Sequence, residues 1–397
     1  MTRRAAPPLR YGTLAVARRE LRFWGRSRGD RFLLLWLPLL IGGLVWWIFS
    51  AGQPRELPLV IVDEDASQFS RSAGRLVDAM PGVRVVARLG ERQEAASWLE
   101  ARHAYGVLWI PAGTSAELAR GRQVTLVLEH NAQFLTHASQ VVREVQTAVA
   151  ALSAAGVAQR LARGPQPAAA VTTAQPIRIH RDTLDERGPD YEVFLAATLL
   201  PAVLQILIMV AGVSAVGREL RDGTAGGWLR RAGGSLAAAL AGKLLPYLVL
   251  YLAFGALFIL VFAGLRGSPI QGSITGVLLG MALLVVASLA FGVLLVAATR
   301  NMRMGLSLAG FLAAPAFAYS GQAFPLVAMP AFAQAWASLL PLTYWLELYN
   351  RVWLAGSPLA LTWAPLAVLA LMSILPLGIG AWLLAQRGFL PEAWGSR

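Results

Sequence analysis

The chain has 397 residues, is 56% hydrophobic and only 14% charged, and contains no cysteine. An ordinary soluble domain carries roughly 25% charged residues, so this balance excludes a disordered chain, a disulfide scaffold and a cysteine-ligated metal protein, and argues against a purely soluble one. The net charge is +13, and where it sits decides between a nucleic-acid and a membrane partner.

Residues 1–31 hold nine Arg against Glu20 and Asp30. Within them, 10–28 reads as an amphipathic helix. Leu14, Ala17, Leu21 and Trp24 fall at helical spacing, and Arg19, Arg22 and Arg26 share another face. Such a helix suits the cytoplasmic headgroup layer, although an ordinary basic flank reads the same way. Phe32 to Gln53 then lacks any charge. A signal peptide is the alternative there, with Ser50-Ala51-Gly52 as a cleavage-like site. Its 31-residue basic region and its apolar core are both too long, which favours an uncleaved anchor.

Residues 51–192 have soluble composition and alternate between strand and helix signals. LPLVIVD (57–63), VRVVARL (83–89), GVLWIP (106–111) and VTLVLE (124–129) read as strands. Ser67 to Met80, Glu91 to His103 and Gln133 to Arg163 read as helices, with Ser67 as an N-cap. A Pro/Ala/Thr linker follows at 164–176, and IRIHRDT (177–183) reads as a returning strand. This alternation predicts a small α/β domain.

Five further uncharged stretches follow: Val193–Gly217, Leu244–Leu265, Gly267–Thr299, Met304–Leu346 and Val352–Gln386. A helix needs about 20 apolar residues to cross a bilayer. The fold class expected is a mainly α polytopic membrane protein with six spans, at 32–50, 193–216, 241–263, 273–298, 304–321 and 363–385. Residues 51–192 form an inserted extracytoplasmic α/β domain, and 193–397 carry spans two to six with a cytoplasmic loop at 218–236. Pro325, Pro330 and Pro341 forbid one straight helix after the fifth span, and Trp336, Tyr344, Trp345, Tyr349 and Trp353 suit the outer interface. Residues 322–346 are read as a re-entrant helical hairpin. A seventh span is the alternative and would put the C-terminus outside.

Charge gives the orientation. Residues 1–31 carry +7, 218–243 carry +3, Arg300 and Arg303 add +2, and the C-terminal tail adds +1. The other side, 51–192 with the loops at Arg266 and Glu347/Arg351, sums to zero. Positive charge stays cytoplasmic, so both termini are expected inside. The basic excess is a topology signal, and no aromatic-interleaved basic patch points to nucleic acid.

Several chemistries lack their motifs. No Asp, Glu, His or Arg lies inside an expected span, and Lys243 sits at an inner edge where it can snorkel. Ion-coupled carriers usually hold an ionisable group at mid-depth. The four histidines, 103, 130, 137 and 180, are all in 51–192. His130 and His137 are about 10.5 Å apart along a helix, too far to share a metal. There is no HExxH, no GxSxG, no GxGxxG after a strand and no Walker A loop. No catalytic residue, metal ligand or cofactor is assigned to the chain.

Three segments carry a resemblance. They are LPLVIVDEDASQFSR (57–71), GRELRDGT (217–224) with GKLLPY (242–247), and SGQAFPLVAMPAFAQAWASLLPLTYWLELY (320–349). Together with the element order they resemble the membrane subunits of type-2 ABC exporters, in the branch with a large external domain between the first two spans. Matching positions are Glu219, Gly223, Thr224, Leu229, Gly242 and Lys243, then Ser320, Gly321, Phe324, Pro325, Met329, Pro330 and Pro341 to Tyr344. The family's acidic residue after Gly-Thr is replaced by Ala225, Gly226 and Gly227. Its Asn-Pro and Pro-Gly before the second span give way to Asp190-Tyr191 and Pro201.

The resemblance implies a permease subunit of an ATP-driven exporter in a bacterial cytoplasmic (inner) membrane, moving a hydrophobic or amphipathic substrate. ATP and Mg are expected in separate cytoplasmic ATPase subunits, with a second copy or a paralogous permease as partner and an envelope adaptor as a further one. ATPase coupling is expected at Arg19, Arg22, Arg218, Glu219, Gly223, Thr224, Trp228 and Leu229. The Thr224 hydroxyl is expected to cap a short helix, and Trp228 to enter a partner groove. The substrate path is expected along Gln205, Ser214, Ser307 and Tyr319. A mechanotransmitter that regulates an external partner is the alternative function.

Overall fold

A computed structural model describes residues 11–49, 55–100, 103–120, 122, 124–130, 135–161, 195–358, 360 and 362–388. The expected linker at 164–176, the strand at 177–183, Asp190-Tyr191 and the tail from 389 lie outside the described residues. In chain order the elements that matter are α1 (Thr13–Arg26), α2 (Arg28–Phe49), β1 (Leu57–Asp63), α3 (Gln68–Asp78), β2 (Val83–Leu89), α4 (Arg92–Glu100), β3 (Gly106–Ile110), α5 (Thr114–Ala119), β4 (Val127–His130) and α6 (Leu135–Leu161). They continue with α7 (Ala197–Arg221), α8 (Ala225–Arg231), α9 (Leu236–Leu265), α10 (Ile274–Thr299), α11 (Met302–Ala313), α12 (Ala316–Tyr319), α13 (Ala331–Ser338), α14 (Pro341–Leu348) and α15 (Trp363–Gln386). The chain divides into two compact units, Met1–Ser50 with Tyr191–Arg397, and Ala51–Asp190.

Ala51–Asp190 is built on a four-stranded sheet of order β2-β1-β3-β4. β1 is a continuous apolar run, so it is buried on both faces and takes a central place. It pairs in parallel with β2 and β3, and β4 closes the edge antiparallel to β3. Leu59, Ile61, Leu108 and Ile110 pack with Val77 of α3 and Val141 of α6. Val60, Val62 and Val107 turn to the opposite face with Ala95 of α4. Ser67 and Ser70 cap the start of α3 reciprocally, at 3.1 and 3.0 Å.

The other unit is helical. Among the described residues five helices are long and apolar enough to cross a membrane: α2, α7, α9, α10 and α15. At about 1.5 Å per residue, the 25 residues of α7 reach about 38 Å, more than the roughly 30 Å of a bilayer core. α7 and α10 are the best buried, and small residues let them approach closely. A Cβ added at Gly292 would lie 2.6 Å from the Met209 carbonyl oxygen, and one at Gly212 2.9 Å from that of Leu289.

Two expectations change here. Residues 304–321, expected as one span, are split into α11 and α12. Pro315 stands between them, has no N–H to donate, and its ring would crowd the Phe311 carbonyl four residues earlier in a continued helix. Second, Trp345, Tyr349 and Trp353, expected at an interface, are buried in the core. Trp353 donates from Nε1 to the Ser268 carbonyl at 3.0 Å and packs on Phe258 and Tyr349. Only Trp336 and Tyr344 are half-exposed. α1 buries Val16, Ala17 and Glu20, and leaves Leu14 and Leu21 exposed.

Candidate functional site

The inward face of α1 carries a carboxylate. Glu20 is only 2% exposed and meets the last turn of α7 and the first turns of α9. One Glu20 oxygen accepts from Arg218 and, at 2.6 Å, from the Tyr247 hydroxyl. Its other oxygen lies 2.6 Å from the Lys243 ammonium. Lys243 reaches Glu219 Oε1 at the same 2.6 Å, and Glu219 Oε2 accepts from Arg19 at 3.0 Å and from Thr224 Oγ1 at 2.5 Å. Arg218 also donates from Nε to the Ser214 carbonyl at 3.1 Å, faces Asp30 at 3.5 Å and lies over the Phe23 ring at 3.9 Å. Three cations thus face three carboxylates, and both oxygens of each buried carboxylate are satisfied. Removing such charges from water is costly, and pairing each with an opposite charge makes their burial tolerable; Arg218 Nη1, without a hydrogen bond, only faces Asp30.

Local sequence explains how the groups meet. Gly242 lets α1 lie against α9, because a Cβ there would collide with the Thr13 carbonyl and Val16. Lys243 and Tyr247 are one helical turn apart and so share a face. Gly223, at φ +66°, takes the left-handed turn that ends α7. The Thr224 backbone N–H then returns to the Glu219 carbonyl at 2.9 Å. Gly12 N–H donates to the Arg231 carbonyl at 2.9 Å, so the start of α1 is tied to the end of α8. A cavity of about 110 Å³ remains among Arg19, Glu20, Arg218, Glu219, Thr224 and Lys243, with Asp222 at its rim. The Asp222 carboxyl is held below its ordinary value by hydrogen bonds from Arg221, at 2.8 and 3.2 Å.

A family model for ABC-2 family transporter proteins matches residues 29–382. The chain belongs to the ABC-2 transporter family. No curated protein matches it. An ABC-2 permease is a transporter's membrane subunit, generally works with ATPase subunits and usually has no ATPase site of its own. Its apolar helices make this one a multi-pass membrane protein.

Of the residues assigned to coupling in this permease, Arg19, Arg218, Glu219 and Thr224 come together in the ion cluster, and Gly223 forms the adjoining turn. Arg22 is exposed on α1 and Leu229 half-buried on α8. Two assignments are corrected. The Thr224 hydroxyl makes no cap to α8, because its backbone (φ −97°, ψ 4°) is not in the extended conformation that aims a cap oxygen at the helix N–H groups; it donates to Glu219 instead. Trp228 is fully buried against its own chain, with Nε1 donating to the Ala239 carbonyl at 3.1 Å, so its ring does not project to a partner. Lys243 does not snorkel; two carboxylates hold it at 3% exposure.

None of the four residues assigned to the substrate path lines the cavity beside the ion cluster. Gln205 is buried in α7 with neither amide atom hydrogen-bonded, Ser214 supports Arg218 through its carbonyl, Ser307 is exposed on α11 and Tyr319 is half-buried in α12. Past α12, Gly321 turns at φ +85° beside Ser320, Phe324 is exposed, Pro330 precedes α13 and Pro341 opens α14. Tyr344 donates to the Ser338 carbonyl at 3.1 Å. Among the described residues no group of three or more His, Asp or Glu side chains converges to hold a metal ion.

Sequence reasoning missed Glu20, Asp30 and Tyr247 as members of the cluster. Two signals were available. Glu20 lies four residues after Val16 and four before Trp24, on the face that packs inward, and Lys243 is the only lysine in the chain.

Proposed function

We propose that this permease exports a hydrophobic or amphipathic substrate, driven by ATP hydrolysis in separate subunits, and that the ion cluster of α1, α7 and α9 carries the ATPase motion into the spans. The observation that carries this reading is the burial of Glu20, Glu219, Arg218 and Lys243 in one ion-paired group, in which both buried carboxylates are satisfied. Such a group has little tolerance for partial displacement, so α1 and the ends of α7 and α9 move together. The exposed residues Arg221, Asp222, Gly227 and Arg230 beside it offer the docking surface for a cytoplasmic ATPase.

In this reading both termini and the 218–236 loop are cytoplasmic, Ala51–Asp190 is extracytoplasmic, and α11 with α12 completes a sixth, broken crossing followed by a hairpin. Two permease chains, identical or paralogous, flank the path, whose polar points are Gln205, Ser214, Ser307 and Tyr319. The test is reconstitution with the partner ATPase in proteoliposomes. Hydrolysis-dependent movement of amphipathic dyes, and ATPase stimulation by the same dyes, is the expected result. Hydrolysis that responds only to an external protein, with no dye moved, contradicts export and supports mechanotransmission.

A further inference from the structure

The helical unit holds a second cavity, far from the ion cluster along the chain's spans. It is an apolar cleft of about 390 Å³ between α2, α7 and α9, with Met281 of α10 in its wall. Its walls include Gly42, Gly43, Leu204, Leu257 and Phe258, and its only charged lining residue is Arg266. Every contributing stretch lies toward the same ends of these helices: 38–46 of α2, 200–207 of α7 and 254–265 of α9. These are the ends opposite Arg218 and Lys243. From Phe254 to Leu265 the cleft runs about 17 Å at about 1.5 Å per residue, close to the about 15 Å of a single leaflet's hydrocarbon. At its mouth Arg266 stands over the Trp46 ring at 5.9 Å. An Arg and a Trp together at a helix end mark the headgroup level.

We propose that this cleft binds one membrane phospholipid with an anionic headgroup. An acyl chain lies between α2, α7 and α9, and the phosphate meets Arg266. Three features select this occupant. The cleft is as long as one leaflet, it is apolar throughout its depth, and its single charge is a cation at the depth where a phosphate lies. The lipid would also cover Leu39 and Trp46 of α2, which line the cleft and are exposed in the chain alone. The inference rests on α2, α7 and α9 spanning a bilayer and is independent of the export reading.

The test is native mass spectrometry of the full-length chain with added phosphatidylglycerol or phosphatidylcholine of identical acyl chains. One surface cation favours an anionic headgroup by about five-fold, and that is the retention ratio expected for the wild type. Arg266→Gln should bring the ratio to about one while both lipids still bind. Gly43 lines the cleft and has open space around its Cβ position, so Gly43→Phe should fill it and lose both lipids. Gly43→Leu serves if the Phe variant is not monodisperse. Equal retention of the two lipids by the wild type overturns the proposal. So does undiminished lipid retention in the Gly43 variants, or loss of a dimer in them, which would assign the cleft to a second copy of the chain.

Discussion

Lys243 is held by two carboxylates that would repel each other without it. Glu20 and Glu219 each lie 2.6 Å from its ammonium. Lys243→Met should therefore cost about 3–5 kcal/mol, the usual effect of stranding a buried charge, measured as a lowered unfolding midpoint in detergent. Adding Glu20→Gln should recover part of that loss, with a coupling of about 1–3 kcal/mol in the double-mutant cycle. Additive losses would mean the three groups are not one unit. A second residue-scale expectation concerns Asp65. Partial burial pushes its carboxyl up, but hydrogen bonds from Ser67 and Ser115 outweigh this and hold it below its ordinary value. A depressed carboxyl adds stability above its unfolded value, near 3.9, and that stability is lost as pH falls through the lower folded value. The urea midpoint of residues 55–190 should therefore fall on acidification below about pH 4, and Asp65→Asn should flatten that slope. An unchanged slope would mean that Asp65 titrates alike in both states.

At the scale of elements, the sequence was read well where a single period dominated. The apolar run Leu57–Asp63 is a central strand, and five of the six uncharged stretches become α2, α7, α9, α10 and α15. It was read less well where long-range contacts choose the face. α1 carries apolar residues on several sides, and contacts distant in sequence, with Arg218, Gly242, Lys243 and Tyr247, select the Val16, Ala17 and Glu20 side. The site was half legible for the same reason. Arg218, Glu219 and Thr224 lie close together in the chain, whereas Glu20 and Tyr247 reach them only through the fold. Gly242→Val tests the contact. The added side chain would press on Thr13 and Val16, overpacking that costs about 1–3 kcal/mol. Limited proteolysis should then cut α1 faster, and unchanged protection would show that α1 is held by other contacts. Gly223→Val probes the adjoining turn. No neighbour crowds that position, so the cost is backbone strain of about 1–2 kcal/mol at positive φ.

At the scale of the whole molecule, charge and fold separate two ends of the helical unit. The ion cluster and the basic loops occupy one end, and the lipid-sized cleft lies toward the other. Reporters fused after Arg231 and after Arg397 should read cytoplasmic, while one at Gly121, a position outside the described residues, should read external. An external C-terminus would require the α13–α14 region to cross fully. The most direct test of the central claim is the number of substrate molecules moved per ATP hydrolysed in the reconstituted complex, wild type against Glu219→Gln. Glutamine keeps the shape and an acceptor for Thr224 but removes the charge that joins Lys243 to Arg19. The expected result is an assembled complex that still hydrolyses ATP and moves at least about ten-fold less substrate per ATP, a change of about 1.4 kcal/mol in coupling. A ratio equal to the wild type's would contradict it.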